Sequence, residues 1–201
     1  NALREDCDIL VICIPSQFVK STIEEIKDFL KDKDDSITVC IENQFELDSD
    51  MLIQIIDGVS DDRLKVCLDI GHIRFFEHFS HQYLLNFFKN ADFIQLNENV
   101  MALLFERLHV KSLVEFFELI QPDLLVLTKG KRGAEYVFKE NNEIKVCFES
   151  PKIIVDIVDS SGAGDAFFST TLREYAYAEK IDTEFIKLQD LLKYAGLCET
   201  G

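Results

Sequence analysis

Short apolar runs alternate along this chain with longer stretches of mixed polarity. Residues 8–14, 37–41, 64–69, 92–96 and 124–128 are apolar over most of their length and rich in Val, Ile and Leu. That is the pattern of strands buried on both faces. Between them, residues 22–31, 49–58, 82–89 and 111–120 repeat apolar positions at helical spacing. The alternation predicts a parallel sheet with crossover helices on its faces. A further strand is expected at 134–138, and Glu140-Asn141-Asn142-Glu143 predicts a hairpin after it. Residues 164–197 read as two helices divided near Ile181-Asp182-Thr183. Phe75, Phe76, Phe79, Phe87 and Phe88 are expected in the core, and residues 31–35 form a solvated helix end. In an open sheet of this kind ligands collect beyond the carboxyl ends of the strands, where Asn97, Thr128 and Asp159 stand.

The densest chemistry lies in Asp159-Ser160-Ser161-Gly162-Ala163-Gly164-Asp165-Ala166-Phe167-Phe168. A strand ending near Val158 delivers Gly162 and Gly164 into a tight turn at the mouth of a helix running through Tyr177. Backbone N–H groups of such a turn point at an anion, and the helix N-terminus favours phosphate there. Asp165 in the first helical turn is a candidate base for an attacking hydroxyl. Upstream, residues 124–127 lead into Thr128-Lys129-Gly130-Lys131-Arg132-Gly133-Ala134, whose glycines allow close backbone approach or an ordinary turn.

The ten-residue run resembles the second signature of the ribokinase-like (PfkB) carbohydrate kinase family, Asp-Thr-x-Gly-Ala-Gly-Asp-x-Phe, with Ser160 in place of the threonine. The resemblance implies that Asp165 is the catalytic base, that Gly162, Ala163 and Gly164 form the anion hole, and that Asp159 and Ser161 lie near a monovalent cation. Thr128, Gly130 and Gly133 match the family's turn under the nucleotide phosphates and ribose. Asn97 matches its Asn-x-x-Glu motif, which organises magnesium and phosphate; Val100 stands at the glutamate position, with Glu98 as a substitute if the backbone shifts. The same resemblance implies a three-layer α/β/α sandwich, mostly parallel, that binds ATP and Mg²⁺ and phosphorylates a sugar or nucleoside hydroxyl. It covers residues 85–200 as the nucleotide-binding portion of a single domain, 1–201. The family's sugar-binding half is missing. Either the chain is part of a longer protein, or it is a reduced member that binds nucleotide silently.

Composition narrows the setting. The 201 residues, 47% hydrophobic, can bury one substantial core. A net charge of −16 argues against a general nucleic-acid or anionic-membrane binder, because such binding needs a basic surface. ATP can still be held by backbone N–H groups and by Lys129, Lys131 and Arg132. The six cysteines are scattered without a Cys-x-x-Cys pair, as expected of reduced thiols in a cytoplasmic protein. No apolar stretch approaches the roughly 20 residues of a membrane helix. A homodimer is compatible with this reading.

A second resemblance competes over residues 38–75. Val39-Cys40-Ile41-Glu42-Asn43 and Val66-Cys67-Leu68-Asp69-Ile70-Gly71-His72 are similar to two strand ends of xylose-isomerase-like sugar isomerase and endonuclease barrels. There Glu42, Asp69 and His72 would ligate a divalent metal and polarise a sugar hydroxyl or phosphate. Such a barrel takes about 250 residues, and Gln95 stands where a further histidine is expected. His72 alone is equally well a hydrogen-bonded histidine at a strand end, and His78, His81 and His109 read as surface or helix residues.

Overall fold

A computed structural model describes residues 9–13, 18–35, 37–42, 50–72, 80–150 and 163–180. Five parallel strands open the fold: β1 (Ile9–Cys13), β2 (Thr38–Glu42), β3 (Leu64–Asp69), β4 (Phe93–Asn97) and β5 (Leu124–Thr128). They are joined through helices α1 (Val19–Lys31), α2 (Asp50–Val59), α3 (His81–Phe88), α4 (Glu98–Leu108) and α5 (Leu113–Ile120). An antiparallel hairpin of β6 (Ala134–Glu140) and β7 (Glu143–Glu149) completes a seven-stranded sheet in the order β1-β2-β3-β4-β5-β6-β7. Helix α6 (Ala163–Lys180) follows. The hairpin turn is as the sequence requires: Asn141 and Asn142 both take positive φ, 52° and 63°, which matches the twist of the flanking strands.

The helix starts have identifiable caps. Ser80, Asn97 and Ser112 accept hydrogen bonds from the N–H groups of Tyr83, Val100 and Glu115, three residues on in each case. Helix α4 was not expected from the sequence. Its signal is nevertheless present: Val100, Met101, Leu104, Phe105 and Leu108 recur at helical spacing after the Asn97 cap, and all pack on the core. The second helix expected after Ile181 and the residues Phe75, Phe76 and Phe79 lie outside the described residues.

Strand order explains the layers. Each parallel crossover steps to the next position in the same direction, so right-handed connections put α1–α5 on one face of the sheet. On that face Val39, Ile41, Val66, Leu68, Ile94, Leu96, Leu125 and Leu127 pack against Ile26, Leu52, Leu84, Leu104 and Phe116 of the helices. The intervening strand positions, Cys40, Cys67, Phe93, Leu124, Val126, Tyr136 and Phe138, form a second core with Phe167, Phe168, Leu172 and Tyr175 of α6. The result is a three-layer α/β/α sandwich. Cys40, Cys67 and Cys147 are buried free thiols within this second core.

Candidate active site

The two faces of the sheet differ in polarity. The buried polar residues among those described are Glu42, Asp69, Gln95 and Thr171. Thr171 lies on α6, and the other three share strand parity with the α6-facing core. Glu42 and Asp69 are the last residues of β2 and β3, Gln95 stands two residues before the end of β4, and the register sets Asp69 beside Gln95. Two residues beyond Gln95 on the same strand, Asn97 is in register with Thr128 of β5. The sheet thus ends in a polar row where α6 begins.

Gln95 ties Asp69 of this row to α6. Its Nε2 donates to Asp69 Oδ2 at 3.1 Å and to the Gly164 carbonyl at 3.4 Å, while Asp69 Oδ1 accepts from the Gly71 N–H at 2.7 Å. Asp69 is 8% exposed and Gln95 3%. The Gln95 Oε1 atom is buried without a hydrogen-bond partner. Its signal in the sequence was a single amide inside the apolar run Phe93-Ile94-Gln95-Leu96, since a buried polar side chain needs a reason. Sequence reasoning noted Gln95 only as a missing histidine.

Ala163, Gly164 and Asp165 are the first three residues of α6, so their N–H groups belong to the set that a helix leaves without internal partners. Such a terminus attracts anions. Asp159, Ser161 and Gly162 lie outside the described residues, as do the side chains of Ala163 and Asp165. Asn97 caps α4, its Oδ1 accepting from the Val100 N–H at 3.0 Å. Val100 itself packs on the α1–α5 core, so no carboxylate occupies that position. Glu98 accepts a hydrogen bond from Arg132, which ties the start of α4 to the turn after β5.

In that turn, Gly130 and Gly133 differ. Both have positive φ, +54° and +104°. A Cβ on Gly130 would meet nothing within 4 Å, whereas one on Gly133 would sit 1.9 Å from the Glu149 carbonyl oxygen. The close approach at Gly133 is therefore to the protein's own β7. Lys129 pairs with Glu135 and lies 5.6 Å from the centroid of the Phe148 ring.

The barrel expected by the competing metalloenzyme reading is not found, because the described strands form an open sheet with β1 and β7 at its edges. Among the described residues, no group of three or more His, Cys, Asp or Glu is placed to hold a metal ion. Glu42 and Asp69 are buried at adjacent strand ends; His72 closes a short 3-10 turn, Ile70–His72, and its side chain lies outside the described residues. Burial, with Cys40 and then the Glu42 charge, pushes the Cys67 thiol well up, so it is no nucleophile. A cavity of about 510 Å³ lined by Asp57, Asp61, Lys65 and Asp92 opens at the opposite, amino ends of β3 and β4.

No family model matches the chain. Over 120 residues it is 32% identical to a fructokinase-2 of Zea mays, covering 57% of this chain and 33% of that protein. A fructokinase-2 of Oryza sativa subsp. japonica is 31% identical over the same length. The chain thus spans about one third of the length of the curated relatives it matches. Among solved structures, a nucleoside kinase of Methanocaldococcus jannaschii, an archaeal member of the ribokinase family, superposes with a TM-score of 0.57 at 18% identity, over 87% of this chain and 52% of that one. A Burkholderia thailandensis nucleoside kinase in complex with inosine gives 0.59 at 17%, over 84% and 50%. A Vibrio cholerae O395 fructokinase bound to fructose, ADP and calcium gives 0.54 at 20%, over 81% and 54%. No helix of the described residues is long and apolar enough to cross a membrane. The chain therefore has a ribokinase-like α/β/α fold and is similar in sequence to one third of the length of two fructokinases.

Proposed function

We propose that the protein carrying this chain transfers the terminal phosphoryl group of ATP to a hydroxyl of a sugar or nucleoside. The observation that carries this reading is the seating of α6: its first turn lies on the polar ends of β3 and β4, in contact with Gln95 through Gly164. Free N–H groups at that end supply what a phosphoryl group needs as charge builds on it. Asp165, third in the helix, takes the proton of the attacking hydroxyl as its oxygen bonds to phosphorus and the bond to the ADP oxygen breaks. Gly162, Ala163 and Gly164 form the anion hole. Asn97, Thr128, Gly130 and Gly133 line the nucleotide, and Asp159 and Ser161 hold a monovalent cation.

Asn97 and Glu98, at the start of α4, are the described groups that would face an ion arriving with the nucleotide. Mg²⁺ commonly keeps several waters and is bound by one or two carboxylates plus substrate phosphates. It would neutralise phosphate charge near Asn97. A cytoplasmic enzyme, active as a homodimer, is the setting this reading expects. The test is calorimetric titration with an ATP analogue, together with transfer assays over sugars and nucleosides. Asp165→Asn is expected to abolish transfer and to leave nucleotide affinity within severalfold; undiminished turnover overturns the base assignment. Gly162→Val is expected to remove nucleotide binding itself.

A further inference from the structure

We infer that Gln95 is a positioning residue that fixes the first turn of α6 over the sheet; its part in turnover rests on the phosphoryl-transfer reading, its geometry does not. One amide joins three segments distant in sequence, since it stands on β4 and donates both to Asp69 at the end of β3 and to Gly164 in α6. Asp69 is itself held from its other oxygen by the Gly71 N–H, so the amide spans a fixed carboxyl group and a helix carbonyl. Gly164 immediately precedes Asp165. The unpartnered Oε1 shows that this site satisfies only the donor end of the amide. Donation is what a glutamine supplies here and an apolar side chain of the same size does not. A tie at the first turn sets the height and rotation of the helix start, on which an in-line transfer geometry depends.

Three substitutions separate donation from mere filling. Gln95→Met keeps length and volume and removes the donor, Gln95→Glu turns it into an acceptor, and Gln95→Lys retains a donor. Each is read by hydrogen exchange of the Phe167 and Phe168 amides relative to those of β5, and by kcat and KM for ATP. Gln95→Met and Gln95→Glu are expected to speed exchange in the first turn about tenfold and to lower kcat on the order of tenfold, with KM for ATP within about threefold. Gln95→Lys is expected to recover part of both. A Gln95→Met protein indistinguishable from the parent in exchange, or better than Gln95→Lys, overturns the inference. Absence of transfer in the parent protein overturns the phosphoryl-transfer reading alone, because the exchange ordering still decides what Gln95 does.

Discussion

Gly130 and Gly133 sit three residues apart in one turn, yet substitution separates them. At Gly133 a methyl group collides with the Glu149 backbone and demands a φ that L-residues avoid, so Gly133→Ala is expected to destabilise the protein by more than about 2 kcal/mol. At Gly130 the space is open and only the left-handed conformation is penalised, by about 1 kcal/mol. Urea unfolding of the two variants checks this ordering. A loss of nucleotide affinity in Gly130→Ala then reports on ligand contact rather than on folding. The Gln95 amide poses the converse case. Its orphaned oxygen costs about 1–3 kcal/mol, a penalty that an apolar side chain would avoid.

Among the elements, the junctions carry the testable charges. Arg63, at the start of β3, donates to the Leu30 and Lys33 carbonyls at the end of α1 and grips Asp61 with Nε and Nη2 at 2.9 and 2.7 Å. Replacing it by Ala removes the side-chain donors to those carbonyls, of which Leu30's keeps the Lys33 N–H, and is expected to cost about 2 kcal/mol in unfolding free energy. Arg63 also holds the Asp61 carboxyl down to about 2. That contribution is complete above the ordinary aspartate value of about 3.9 and is lost as pH falls through about 2. Asp92, where β4 begins, has the opposite sign. Burial pushes its carboxyl up, against the pull of the Val66 N–H and Lys65. The folded protein therefore holds that proton more tightly than the unfolded chain does, and stability falls as pH rises from about 3.9 through the raised value. Asp92→Asn is expected to flatten this slope, read from urea midpoints at successive pH values. Most elements were legible because strands buried on both faces leave continuous apolar runs. Helix α4 was passed over because Asn97-x-x-Val100 was read for chemistry, although the same asparagine is a helix cap.

At the level of the molecule, the periodicity specified an α/β sandwich but not which face of the sheet is polar. Each of Glu42, Asp69 and Gln95 sits in an apolar run, and only strand parity combined with strand order reveals that the three share the α6 side. The glycine-aspartate run located the helix start, but no local pattern tells which strand ends it meets. That long-range pairing, residue 95 with residue 164, arises only when α6 closes over the sheet. The charge of −16 is spread over a small body, so added salt at neutral pH is expected to raise the melting temperature by screening self-repulsion. The sequential strand order has a consequence for how the protein is made. Every described strand pairs only with its neighbours in the chain, so this sheet can lengthen strand by strand as the polypeptide leaves the ribosome. Helix α6 is made after all seven described strands and is therefore the last described element able to dock. Pulse-labelled refolding should find α1–α5 protected before α6.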